Sequence, residues 1–187
     1  DADIAKRLRK TLEKQGVEFY MQSAVKKIAD GSVTFERKGK EQSVEADKVL
    51  MAVGRKPNVD GLGLENTSLV WSEKGITVDD NMLTNVPGVY AIGDVNARMM
   101  LAHAATMQGL HVVNHIIGEQ DDINLDVMPA AIFTNPEAAC VGKTEDQLKA
   151  EGVDIEVRKK NYRTNGRALA MAEAEGMIKL VADAGTG

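Results

Sequence analysis

Thr84-Asn85-Val86-Pro87-Gly88-Val89-Tyr90-Ala91-Ile92-Gly93-Asp94 is the stretch on which the reading of this chain turns. A turn feeds a short apolar strand, predicted over 89–92, that ends in glycine and then aspartate. Gly93 lets another group approach the backbone closely. Asp94 stands at the carboxyl end of a strand, the edge at which open α/β sheets bind ligands. A carboxylate there can accept hydrogen bonds from sugar-like hydroxyls, each contributing about 1.5–3 kcal/mol. The Gly-Asp pair alone reads more readily as an ordinary capping turn, so the flanking residues have to decide.

Downstream, Met100-Leu101-Ala102-His103-Ala104-Ala105 opens an apolar helix predicted over 102–117 and closed by Gly118. A helix N-terminus carries unpaired N–H groups and about half a positive charge, which favours anions. Upstream, Ala52-Val53-Gly54-Arg55-Lys56-Pro57-Asn58 follows an apolar run at 48–53. That run is apolar on both faces, which predicts a strand buried inside a sheet.

Further out, Ile4, Leu8 and Leu12 predict a helix over 3–15 with Asp3 as N-cap and Gly16 just past its end. Strands are predicted at 17–21, 24–28 and 33–37, with Asp30-Gly31 as the hairpin turn between the last two. Residues 54–75 read as loop and 119–128 as a polar linker. A strand at 130–133 precedes a helix at 145–150, for which Thr144 and Gln147 form a capping box. Two more strands are predicted at 154–162 and 177–182. Strands and helices interleave before about residue 123 and read as α+β after it.

The 187 residues are 43% hydrophobic and 27% charged, an ordinary balance for a globular protein. With a net charge of −5 and no basic stripe apparent, a nucleic-acid partner is not expected. The apolar runs are too short for a membrane span, and the cytoplasm is the expected compartment. The single cysteine, Cys140, cannot form an internal disulfide; between Ala139 and Val141 it is predicted to be a small buried hydrophobe. His111 and His115 lie four apart, a metal-ligand spacing, but no Glu follows His111, so packing is the expected role. His103 is predicted to be partly buried and locally hydrogen-bonded.

The eleven-residue string closely resembles the second flavin-binding signature of the pyridine nucleotide–disulfide oxidoreductases. The resemblance implies that Asp94 holds a ribityl hydroxyl of FAD. It also implies that the Ala102 backbone meets the flavin pyrimidine oxygen, with Gly93, Leu101 and His103 beside it. Leu101-Ala102-His103 followed by Ala105 resembles the dihydrolipoamide dehydrogenase branch in particular. Gly54-Arg55-Lys56-Pro57-Asn58 is similar to the family's Gly-Arg-x-Pro-Asn signature, which makes Ala52, Val53, Gly54 and Arg55 candidate NAD contacts. Val25 resembles the position whose backbone meets the adenine. Met128-Pro129, Phe133-Thr134-Asn135-Pro136-Glu137 and Asn165-Gly166-Arg167-Ala168 resemble the start of the family's dimer-interface domain.

The implied fold is α/β: parts of two Rossmann-like domains followed by the first part of an α+β interface domain. The division would be 1–52 for NAD, 53–122 for FAD and 123–187 for the interface. The implied reaction oxidises protein-bound dihydrolipoamide and passes electrons through a disulfide and FAD to NAD⁺. The implied partners are a second copy of the protein and a lipoyl domain of a 2-oxoacid dehydrogenase or glycine cleavage complex. The family also needs a Cys-x-x-x-x-Cys pair, two Gly-x-Gly-x-x-Gly loops and a C-terminal His-Glu pair, none of which occurs here. The chain therefore reads as an internal fragment with both ends cut, expected to be inactive and to bind FAD weakly or not at all. Two other readings stay open: another disulfide or mercuric reductase of the family, or a non-catalytic dimerisation or binding module.

Overall fold

The N-terminal sequence makes helix α1, Ala2–Lys14, whose ends are set locally. Asp1, not the predicted Asp3, is the cap: its carboxylate accepts from the Asp3 and Ile4 amides at 2.9 and 3.3 Å. Asp3 lies in the first turn of the helix, where its carboxylate meets cations instead. At the other end Gly16, with φ at 93°, takes the left-handed position. Gly16 N–H and Val17 N–H then close back on the Glu13 and Leu12 carbonyls at 3.1 and 3.0 Å.

Three antiparallel strands follow, β1 (Ser23–Ala29), β2 (Ser32–Arg37) and β3 (Lys40–Glu45), in the order β1-β2-β3. Both connections are two-residue turns with positive φ at each position, Asp30-Gly31 and Lys38-Gly39. This backbone twist matches that of the flanking strands. The predicted strand at 17–21 is irregular, and Tyr20 there stacks tilted on the buried Phe35, ring centroids 4.9 Å apart. β3 was not anticipated, because its residues Lys40-Glu41-Gln42-Ser43 carry little strand propensity.

The predicted buried strand at 48–53 is a correction. It forms no strand, and Leu50 and Val53 are each 87% exposed. An apolar run becomes a buried strand only between neighbouring strands, and among the described residues none pairs with it.

The structure, a computed structural model, describes residues 1–186. It divides into two compact units. The first holds Asp1–Ala52, Ile132–Ala138 and Lys143–Gly187; the second holds Val53–Ala131 and Ala139–Gly142. The second unit contains the short hairpin β4 (Trp71–Ser72) and β5 (Gly75–Ile76), and helix α2 (Ala102–Ile117). Val59, Leu64, Ile76 and Ala91 form its core, with Leu69, Val78 and Val95 packed against them. Short strands β6 (Ala130–Ile132) and β7 (Ala138–Cys140) come next. Cys140 is exposed, contrary to expectation, because β7 buries neither of its last two residues.

In the first unit, α3 (Glu145–Ala150) carries the predicted capping box, with both the Thr144 and Gln147 side chains engaged. Strands β8 (Ile155–Asn161) and β9 (Met177–Asp183) pair antiparallel along their whole length, and the short helix α4 (Gly166–Ala170) lies in the connection between them. Lys179 on β9 has a side chain only 6% exposed and reaches Asp1, Asp3 and Glu145 at 2.8, 2.7 and 2.7 Å. One ammonium thus fastens α1 and α3 to the β8-β9 hairpin.

Candidate functional site

Thr84, Asn85 and Val89 of the stretch at 84–94 have structural tasks in the second unit. The Thr84 hydroxyl donates to the Val89 carbonyl at 2.8 Å, and Val89 N–H bonds the Val86 carbonyl at 3.1 Å across Pro87-Gly88. Asn85 clamps the neighbouring loop, accepting from Val70 N–H at 2.8 Å and donating to the Ser68 carbonyl at 2.7 Å. The predicted strand at 89–92 is a correction: it pairs only through a single bridge, Leu83 with Tyr90. Residues 93–96 then wind into a short 3-10 turn, Gly93–Asn96.

Two buried polar side chains, Gln108 and Asn96, hold this turn against α2, while a third, Thr84, closes the turn at 84–89. Gln108 is 3% exposed, Asn96 7% and Thr84 6%. The Gln108 carbonyl oxygen accepts from Gly93 N–H at 2.7 Å and from Asn96 Nδ2 at 3.0 Å. Asn96 Nδ2 also donates to the Ala91 carbonyl at 2.9 Å. Gln108 occupies the buried face of α2 with Ala104 and Val112, four residues to either side. A lone amide in an apolar stripe at helical spacing is the signal that the sequence carries for it.

Two glycines allow the close packing. Gly93 has φ at 73°, and a Cβ there would stand 3.2 Å from the Ala105 Cβ. Gly75 has φ at 113°, and a Cβ there would stand 2.7 Å from the Val95 carbonyl oxygen, so the backbone of the turn would have to move.

This scaffold leaves Asp94 exposed, with no hydrogen bond to its carboxylate from any described residue. Helix α2 starts at Ala102 with Leu101 as an N-cap whose side chain makes no capping bond, and no acid lies in its first turn. Its first N–H groups therefore stay open to an outside acceptor. His103 is exposed rather than partly buried; its Nε2 donates to the Pro129 carbonyl at 2.7 Å. His111 does not point toward a metal role. Its Nδ1 lies 3.1 Å from both carboxylate oxygens of Asp121, which also accepts from Asn114 Nδ2 at 3.0 Å. The bonds from Asn114 and His111 hold the Asp121 carboxyl below the usual carboxylate range. His115 meets Tyr90 edge-on at 5.9 Å. Among the described residues no group of His, Cys, Asp and Glu could hold a metal ion.

The second set of predicted positions is less organised. Ala52, Val53, Gly54 and Arg55 lie on irregular, exposed backbone, with Gly54 at φ 115°. Val25 is 60% exposed on β1, paired with Phe35 beside a register shift in the ladder.

The chain belongs to the pyridine nucleotide-disulphide oxidoreductases: the model of that family matches residues 1–109, and that of its dimerisation domain matches residues 128–187. Among individual proteins, it is 43% identical to the dihydrolipoyl dehydrogenase of Cupriavidus necator, covering 100% of this chain and 40% of that protein. It also superposes on LpdA from Mycobacterium tuberculosis with a TM-score of 0.86 and 31% identity, over 100% of this chain and 41% of LpdA. A copper(II) complex of RclA from Escherichia coli, a HOCl-induced flavoprotein disulfide reductase carrying a C43S mutation, gives 0.81 and 26% over 100% and 43%. The chain thus spans about two fifths of the length of these relatives. The α/β fold class stands with them. Among the described residues no helix is long and apolar enough to cross a membrane.

Proposed function

We propose that this chain is the part of a dihydrolipoyl dehydrogenase that grips the flavin ribityl chain and ring edge and leads into the dimer interface. The observation that carries the reading is the unpartnered Asp94 carboxylate on a turn bolted to α2, whose own N-terminus is open. A ribityl hydroxyl can donate to a fixed, exposed carboxylate, and a flavin carbonyl can accept from the Ala102 N–H with favourable dipole alignment. Gly93, Leu101 and His103 flank these two contacts and shape the approach. Ala52, Val53, Gly54 and Arg55 would contact NAD, and the Val25 backbone its adenine. FAD, when bound, supplies the two-electron chemistry between a disulfide and NAD⁺. The residues of this chain position it; the redox cysteines and the general base are not among them. The cytoplasm and the division at 1–52, 53–122 and 123–187 belong to the same reading, as do a homodimer and a lipoyl-domain partner.

The test is Asp94→Ala in a full-length protein carrying this segment. The loss of one charge-assisted bond, about 1.5–3 kcal/mol, lowers FAD affinity roughly 10- to 100-fold. Flavin absorbance per protein after dialysis reads it directly, and full retention of flavin by the variant would sink the assignment. The isolated chain is expected to form no NADH from dihydrolipoamide and NAD⁺.

A further inference from the structure

No basic stripe is expected, yet Lys6, Lys10 and Lys14 line α1, and folding brings Lys159 and Arg163 into the same cleft. A cleft of about 550 Å³ in the first unit is bounded by α1 on one side and by β8 and the residues after it on the other. Six cations line it, Lys6, Arg7, Lys10, Lys14, Lys159 and Arg163, against two carboxylates, Asp3 and Glu175. Both carboxylates are already matched within the fold. Asp3 pairs with Lys159 at 2.8 Å and Lys179 at 2.7 Å. Glu175 pairs with Arg163 at 3.2 Å and Lys14 at 3.5 Å. Lys6 and Lys10 have no partner among the described residues. In a chain with net charge −5, Lys6, Arg7 and Lys10 are thus a local excess of positive charge that no carboxylate of the cleft pairs with.

Two features make the cleft more than a solvated helix face. Arg7 is held in place, its guanidinium donating to the Glu175 carbonyl at 2.7 Å and to Asn161 Oδ1 at 2.8 Å. It therefore loses little freedom on meeting an anion, and its remaining donors keep a fixed direction. Lys6, Lys10 and Lys14 recur every four residues, a line about 12 Å long at 1.5 Å per residue, in which Lys14 also meets Glu175 at 3.5 Å. The volume falls in the range of small-molecule sites, roughly 300–1,000 Å³.

We infer that this cleft binds a linear polyphosphate anion, either inorganic or the phosphate chain of a nucleotide. A single small anion cannot engage a line of that length. An extended acidic peptide turns alternate side chains to opposite faces, so half its carboxylates would miss the cations. A phosphate chain presents all its charges along one line and meets both lysine and the arginine fork.

The experiment titrates the chain with inorganic tripolyphosphate, with ADP and with a hexaglutamate peptide, by calorimetry at 0.05 and 0.3 M salt. The expected result is saturable tripolyphosphate binding that weakens with salt. Lys6→Glu with Lys10→Glu should lower the affinity about tenfold or more. Lys38→Glu with Lys40→Glu, the same charge change on the β2-β3 turn, should leave most of it. ADP binding with the same dependence on Lys6 and Lys10 assigns the nucleotide source; tripolyphosphate binding alone assigns the inorganic one. As a second readout on the unaltered chain, tripolyphosphate should protect Lys6 and Lys10 from amine acylation more than Lys38. No saturable binding by either phosphate, preference for the peptide, equal losses in the two double variants, or no selective protection overturns the proposal.

Discussion

Gln108 in the second unit and Lys179 in the first do the same mechanical job with opposite chemistry. Each is a long polar side chain sunk among packed elements, 3% exposed as a residue in one case and 6% as a side chain in the other. Gln108 is neutral and meets neutral partners, the Gly93 and Asn96 donors, at hydrogen-bond distance. Lys179 is charged and meets the carboxylates of Asp1, Asp3 and Glu145. The neutral knot has one spare, the bond from Asn96 Nδ2 to the Ala91 carbonyl at 2.9 Å, while the buried Gly93 N–H has Gln108 alone. The ionic knot has spares: Asp3 also pairs with Lys159, Glu145 also pairs with Lys149 at 2.6 Å, and Asp1 also caps α1. Redundancy, not bond strength, separates them. The neutral knot should be brittle to mutation and indifferent to pH, the ionic one tolerant of mutation and sensitive to pH and salt.

Four measurements test that contrast, and the single tryptophan, Trp71 on β4, reports on the second unit by fluorescence. The largest effect is expected for Gln108→Leu. It orphans two buried donors at a cost of about 1–3 kcal/mol each, so the Trp71 urea midpoint should drop steeply; an unchanged midpoint would break the contrast at once. Next comes Gly75→Ala, whose Cβ would stand 2.7 Å from the Val95 carbonyl oxygen at a φ of 113°. Strain and the displaced turn should cost about 2 kcal/mol, with Asp94 shifting in a crystal structure of the variant.

Lys179→Met should cost less than Gln108→Leu, since each carboxylate keeps another contact. Its sharper signature is in pH. Hydrogen bonds from Lys159 and Lys179 bring Asp3 down to about 2, and those from Lys149 and Lys179 bring Glu145 down to about 2. Groups lowered on folding add stability above their unfolded values, 3.8 and 4.5, and lose it as pH falls toward about 2. Burial alone would push the Lys179 ammonium down; its bonds to Asp3 and Glu145 outweigh this and raise it, so its contribution is lost only at high pH. Acid melting followed by amide exchange on β8 and β9 should therefore steepen between pH 4.5 and 2 in the parent chain. Lys179→Met should flatten it, and equal acid slopes would refute the ionic account. The smallest expected effect is that of salt: 1 M NaCl screens beyond about 3 Å, lowering the first unit's midpoint slightly while leaving the Trp71 transition in place.

Legibility followed the range of the interactions. Helix α2 and its Gly118 stop, α3 with its capping box, and the Asp30-Gly31 turn were readable because their causes lie within a few residues. The run at 48–53 misled because its apolar pattern specifies a strand only if neighbours exist to pair with it. Asp3 reads as the cap because two acids open the same helix two residues apart, and only the folded chain shows that Asp1 accepts the Asp3 and Ile4 amides while Asp3 meets Lys159. At the candidate site, Gly93, Asp94 and the α2 start were found from their local pattern. Gln108 is less legible: its place in the apolar stripe of α2 points to burial, but the partner that explains it lies 15 residues away.

The Asp1–Lys179 pair also has a topological meaning. It joins residues 178 apart in sequence, whereas the Gly93–Gln108 bond closes a span of 15. Loop-closure entropy grows as the logarithm of the span, so the long link starts about 2 kcal/mol behind the short one. The two ends of the described chain are held together by the contact with the least entropic advantage, and any cut between them would release that constraint from one side.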